Sequence, residues 1–274
     1  MKLDLHTHSN LSDGAFTPEE IVDMGVAAGF SVLSITDHDS ISSWDRASGA
    51  ARGRDIAILP GVEVSAAWEN EELHILGYFP AGVPQAFREF LGRALARREE
   101  RMRTMVDNVR RRGVPVDFED VRKLAAGESL SRAHLAQLMV ARGHAATIDQ
   151  AFEEHLGYHV GNIPLSLTTV ADAIRIIAES GGLAVWAHPP AAELEERLSL
   201  MVKWGLHGVE AFRRRTHGVK TARLVELGDS YGLFTTAGSD WHGHRREPLT
   251  DELAFPPYRL RPFLKEFGLE HLAA

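Results

Sequence analysis

Residues 3–8 read Leu3-Asp4-Leu5-His6-Thr7-His8, with leucines two apart followed by histidines two apart. In an extended segment alternate side chains point the same way, so His6 and His8 share one face at the end of a strand. Six further β-rich runs follow, near residues 31–36, 57–63, 73–79, 183–187, 208–212 and 233–237, with helical patterns between them. That alternation predicts an α/β fold of βα units around a parallel sheet, and 274 residues are enough for one barrel-sized domain. The first crossover helix is signalled by Thr17-Pro18-Glu19-Glu20, a capping box with Pro in the first turn, and by Gly29 at its far end.

The ends of these runs carry the chemistry. Asp13 follows His6 and His8 in the loop Asn10-Leu11-Ser12-Asp13-Gly14. Asp37-His38-Asp39 ends the second run, Glu63 the third, and His74 lies on the fourth. His188-Pro189 follows the fifth and Asp240-Trp241-His242 the last, where alternation again predicts that Asp240 and His242 point together. In a barrel of parallel strands all C-terminal ends meet on one face, where active sites lie. Nine donors then converge: His6, His8, Asp13, His38, Glu63, His74, His188, Asp240 and His242. One tetrahedral zinc needs only four ligands, so the set predicts a multinuclear centre with a carboxylate bridging ions about 4 Å apart.

Composition removes other chemistries. The 274 residues contain no cysteine, which excludes thiolate ligands, a cysteine nucleophile and disulfides. A formal net charge of −8 argues against a surface for duplex DNA. No run reaches the roughly 18 apolar residues of a membrane helix, and the first strand begins at once, leaving no room for a signal peptide. A cytoplasmic enzyme, monomeric or a small homo-oligomer, is the expectation.

Between residues 83 and 166 the alternation stops and helical patterns dominate, at 85–112, 121–126, 132–142 and 148–155. An all-helical insertion explains this better than a loop of that length. The expected organisation is a barrel of residues 1–82 and 167–274, with 83–166 capping its mouth. The alternating Arg and Glu of 93–103 read as an exposed helix with i,i+4 ion pairs.

The blocks Asp4-Leu5-His6-Thr7-His8-Ser9, Ile35-Thr36-Asp37-His38-Asp39, Gly61-Val62-Glu63, His74-Ile75-Leu76-Gly77, Ala187-His188-Pro189 and Gly238-Ser239-Asp240-Trp241-His242 resemble, in order, the polymerase and histidinol phosphatase (PHP) domain family. The resemblance implies a distorted (β/α)7 TIM-like barrel and a metal-dependent phosphoesterase with two or three divalent ions, Mn2+, Zn2+ or Fe2+. It places His6, His8, Glu63 and Asp240 on one ion, Glu63, His74 and His188 on a second, and Asp13, His38 and His242 on a third. Leu130-Ser131-Arg132-Ala133-His134 is similar to the Arg-x-His element of a subgroup acting on nucleoside 3′,5′-bisphosphates and short RNA. There Arg132, His134 and His217 would contact the substrate phosphate, and His217 or His134 would protonate the leaving oxygen. That subgroup carries a Lys late in the insertion, whereas Gly157-Tyr158-His159-Val160-Gly161-Asn162-Ile163-Pro164 has neither Lys nor Arg; the run Arg213–Arg215 could compensate. The rival readings are a histidinol-phosphate-type phosphomonoesterase and a non-catalytic metal-binding module.

Overall fold

The first run forms as read. β1 (Leu3–Thr7) is wholly buried and pairs in parallel with β2 (Val32–Ile35), reached through α1 (Pro18–Ala28). The Glu20 N–H donates to the Thr17 hydroxyl, the Thr17 N–H donates to the Glu20 carboxylate, and Gly29 closes α1 at φ 75°. The computed structural model describes every residue except 161–162, 191–192, 215–217, 244–246, 251–252 and 274.

Beyond α2 (Ser42–Ala50), the single strand expected over 57–63 is in fact two. β3 (Ala57–Ile58) stays with β2, and β4 (Gly61–Trp68) leaves for another sheet. Pro60 falls between them, where a residue without an N–H cannot continue a ladder. β4 then turns back through Glu69, at φ 51°, into the antiparallel β5 (Glu71–Tyr78). This hairpin corrects the all-parallel expectation.

β5 also pairs antiparallel with β6 (Leu183–Trp186), and β7 (Gly208–Phe212) and β8 (Phe234–Ala237) follow in parallel. The strands form one sheet of order β1-β2-β3 and another of order β4-β5-β6-β7-β8. Single bridges, Thr7 to Trp241 and His38 to Glu63, link their edges. The molecule is therefore a mixed α/β fold of two sheets whose edges meet, and no continuous closed barrel is formed among the described residues.

Among its described residues, the regular structure of the insertion is all helical. It comprises α3 (Gln85–Arg111), α4 (Phe118–Leu124), α5 (Arg132–Ala141) and α6 (Ile148–Ala151), the last running into a π turn. Its core is separate: Met102, Met105, Val109, Val121, Leu135 and Met139 pack together. The start of α3 belongs to the main core through Phe87 and Leu91, so one long helix ties both cores. α7 (Val170–Glu179), α8 (Leu194–Lys203) and α9 (Gly218–Tyr231) return the chain to the main sheets. An unforeseen α10 (Pro257–Lys265) stacks Phe263 edge-on to Tyr78. No described helix is long and apolar enough to cross a membrane.

Candidate metal centre and phosphate mouth

All nine donors meet around Glu63, which is fully buried on β4. Its Oε1 lies 2.9 Å from His74 Nδ1, 3.0 Å from His188 Nε2 and 3.4 Å from His6 Nε2. Its Oε2 lies 3.1 Å from His38 Nδ1 and 3.2 Å from His8 Nε2. Asp240 Oδ1 stands 3.4 Å from both His6 and His8, and Asp13 reaches His242 at 3.3 Å and His38 at 3.6 Å. His74 arrives by an unexpected route. Because β5 runs against its neighbours, the start of that strand, and not its end, faces the mouth.

Asp240 and His242 also differ from the alternation argument. β8 stops at Ala237, and Asp240 sits at φ 58° in the left-handed region. That turn lets the Asp240 carbonyl lie 2.9 Å from His242 Nδ1. Asp39, at φ 52°, and His188, at φ 32°, share this sparsely populated conformation. Three such residues in one cluster mark backbone strain retained at a working site.

A second layer orients the first. Glu210, on β7, places Oε1 2.8 Å from His6 Nδ1, and its Oε2 accepts the His188 N–H at 2.9 Å. The pairing leaves His6 Nε2 free to face the cluster. Gly238 permits the approach: a Cβ there would sit 2.3 Å from His6 Cβ and 2.4 Å from Glu210 Oε1. Asp37 accepts the Ser9 N–H and the Ser9 and Ser12 hydroxyls, which pins the loop between His8 and Asp13. Glu210→Gln is expected to weaken Mn2+ binding on the order of 10–100-fold, read by calorimetric titration of metal-stripped protein. Unchanged affinity would refute the orienting role.

The electrostatics ask for cations. Burial opposes charge on His8, yet Asp240 and Glu63 hold its imidazole up to about 10. Burial likewise opposes charge on His74, which Glu63 and Glu72 hold up to about 9. Against the same burial, the imidazoles keep Glu63, Asp13 and Asp240 well below the usual carboxylate range. Burial wins at His38, which is driven well down and left neutral. Ring nitrogens face each other at 3.2 Å between His6 and His8 and at 3.1 Å between His74 and His188. His38 Nδ1 and Glu63 Oε2, though close, make no hydrogen bond. Buried polar atoms left this way are costly unless a cation satisfies them. Three donor groups have atoms within 4.8 Å of one another: His8–Asp13–His38–His242, His6–His8–Asp240 and His38–Glu63–His74. These imidazole and carboxylate groups fit divalent metal ions.

Beside the cluster a cavity of about 210 Å³ is lined by Asp13, His38, His74 and His242 and walled by Arg98, Arg101 and Arg132. Arg132 lies over the Tyr158 ring at 4.3 Å. Arg98 and Arg101 are the residues that sequence reasoning missed. The 93–103 stretch was expected to be an exposed face, and the Arg103–Glu99 pair fits that reading. Arg98 and Arg101 instead turn inward, with side chains only 8% and 10% exposed. A 3.6-residue period places them three apart on one face; acidic partners far away in the chain, Asp39 in the turn after β2 and Glu72 on β5, were not visible in that window. Arg101 donates to Glu72, to the Tyr158 hydroxyl and to the Pro164 carbonyl. It therefore brings a cation to the 157–164 segment that lacks one. Arg213 pairs with Glu210 and Asp240. His134 does not line this cavity; its Nδ1 accepts the Ser131 N–H, and burial lowers its pKa. His217 lies outside the described residues.

A cluster of imidazoles and carboxylates facing an arginine-walled mouth defines a metal-dependent phosphoesterase. The PHP domain model matches residues 4–179, and the chain belongs to that family. It is 33% identical over 253 residues to the 5′-3′ exoribonuclease Rnm of Salmonella typhimurium, covering 87% of this chain and 84% of the relative. It is 32% identical over 276 residues to a 3′,5′-nucleoside bisphosphate phosphatase of Chromobacterium violaceum, covering 96% and 95%. Among solved structures, one from Bifidobacterium adolescentis assigned as a metal-dependent phosphoesterase superposes with a TM-score of 0.83 at 27% identity, covering 96% of each chain. An amidohydrolase from Chromobacterium violaceum, solved with sulfate bound, gives 0.86 at 28% identity, covering 98% and 97%. The protein is a hydrolase acting on phosphoester bonds.

Proposed function

We propose that the protein removes the 3′-phosphate of a nucleoside 3′,5′-bisphosphate, leaving a 5′-nucleotide. The observation that carries this reading is the shared cavity: metal-type donors on one wall and three arginines on another. A substrate with two phosphates matches it, one phosphate at each wall.

His6, His8, Asp240 and Glu63 would hold one ion, Glu63, His74 and His188 a second, and Asp13, His38 and His242 a third. Two or three divalent ions of the Mn2+, Zn2+ or Fe2+ kind suit these nitrogen and oxygen donors. When bound they acidify water and neutralise charge on the phosphate oxygens. The chain's own share is orientation. Glu210 fixes His6, Asp37 fixes the loop carrying Asp13, and Arg132 offers a planar guanidinium to the distal phosphate. The assignment of His134 to leaving-group protonation has little geometric support, since one ring nitrogen already accepts from Ser131 and the ring lines a different cavity.

The test compares adenosine 3′,5′-bisphosphate with histidinol phosphate on metal-loaded protein. The bisphosphate should be the better substrate, and Arg132→Ala should raise its KM on the order of tenfold by removing a charge-assisted hydrogen bond. Equal rates on both substrates would favour the phosphomonoesterase reading.

A further inference from the structure

Tyr158 carries guanidiniums from two different helices of the insertion. Arg132, from the first turn of α5, lies over its ring at 4.3 Å, and Arg101, from α3, donates to its hydroxyl from Nη2 at 3.0 Å. The phenol opens a short helical turn, Tyr158–Val160, and stands behind the mouth that both arginines line. Two like charges brought to one side chain repel each other. Only one of them is offset: Arg101 pairs with Glu72, whereas no carboxylate pairs with Arg132 among the described residues. Arg132 has the Leu156 carbonyl, at 3.4 Å from Nη1, and the rings of Phe152 and Tyr158. Both cations keep donors in reserve. Arg101 uses Nε on the Pro164 carbonyl, Nη1 on Glu72 and Nη2 on Tyr158, which leaves the second N–H of each Nη. Cations held together against their repulsion, with unused N–H groups, match an anion that has several acceptor oxygens.

We propose that Tyr158 determines specificity by setting Arg101 and Arg132 as a two-arginine clamp for the phosphate that is not hydrolysed. The inference rests on the bisphosphate reading above and adds what would tell two phosphates from one. Tyr158 acts through the arginines, so it is a positioning residue. Its ring face attracts the Arg132 cation, and its hydroxyl oxygen fixes the plane of the Arg101 guanidinium by accepting from it. Without the phenol the two cations would drift apart, and an arriving phosphate would have to order them itself, which lowers affinity. No bond forms or breaks at Tyr158. Its effect therefore falls on binding of the second phosphate and leaves the hydrolytic step alone.

Two variants separate the two contacts. Tyr158→Phe keeps the ring under Arg132 and deletes the hydroxyl, whereas Tyr158→Leu deletes both. Metal-loaded wild type and variants are assayed on adenosine 3′,5′-bisphosphate and on adenosine 3′-monophosphate, which lacks the second phosphate. For the bisphosphate, KM should rise about threefold or more in Tyr158→Phe, the scale of one hydrogen bond. In Tyr158→Leu it should rise on the order of tenfold or more, as the cation–π contact goes too. In both variants kcat stays within about twofold, the pattern of lost binding rather than lost catalysis, and kcat/KM on the monophosphate stays within about twofold. Should Tyr158→Leu not fold, Tyr158→Phe, which conserves the ring, carries the test. A bisphosphate KM unchanged in either folded variant, a fall in kcat, or parallel losses on both substrates overturns the proposal while a wild-type preference for the bisphosphate keeps the reading beneath it. A wild type that treats both substrates alike overturns the clamp and the bisphosphate reading together.

Discussion

Glu63→Gln is expected to lower kcat/KM on phosphate esters on the order of 10³-fold while leaving the fold intact. Both carboxylate oxygens of Glu63 are engaged, Oε1 toward His6, His74 and His188 and Oε2 toward His8 and His38. An amide keeps the shape but loses the charge and presents an NH2 where a donor atom is needed. Two of the proposed ions would then lose their common ligand. The measurement is a rate on bisphosphate together with metal content by elemental analysis, with near-ultraviolet circular dichroism as the check on folding. A folded variant with wild-type rate and metal content would remove Glu63 from the centre. If metal content falls but excess Mn2+ restores most of the rate, Glu63 serves affinity more than catalysis.

Arg98→Met should destabilise the protein by about 3–5 kcal/mol, the scale for breaking a buried ion pair from one side. Arg98 joins three parts of the chain: Nε donates to Asp39, Nη1 to the Leu130 carbonyl and Nη2 to the Ser65 hydroxyl. Its loss leaves the buried Asp39 without its cationic partner, and burial already pushes that carboxyl upward despite the guanidinium. Asp39 sits at φ 52°, next to His38, and accepts the Ser65 N–H. The insertion and the metal loop are therefore fastened to the same residue. Urea unfolding would report the change, and Arg98→Met with Asp39→Asn should recover part of it, because the neutral amide has less to lose. A single-variant loss below about 1 kcal/mol would show the pair to be dispensable.

What the linear chain determined by itself was which imidazoles and carboxylates gather at the candidate site. His6 and His8, Asp13, His38, Glu63, His74, His188, Asp240 and His242 could be picked out because imidazoles and carboxylates at the ends of apolar runs are costly unless they are used. Capping chemistry is equally local, so Thr17, Glu20 and Gly29 bounded α1 correctly. The strand-poor insertion was legible from periodicity alone.

Three things depended on contacts between residues far apart in the chain. The reversal of β5 and the lack of a continuous closed barrel depend on which strands pair, and a short apolar run carries no record of its partner's direction. The turn at Asp240 depends on its packing against His6 and His8, which makes a left-handed residue tolerable there. The inward arginines and Glu210 depend on opposite charges supplied from other elements. On a sequence pattern an arginine in a charged helix is a solvated one, and only the fold places Asp39 and Glu72 where they draw Arg98 and Arg101 into the mouth. Local pattern specifies chemistry and helix ends because their energetics involve neighbours in sequence. Strand direction and charge pairing are decided by free energies that exist only once distant segments touch.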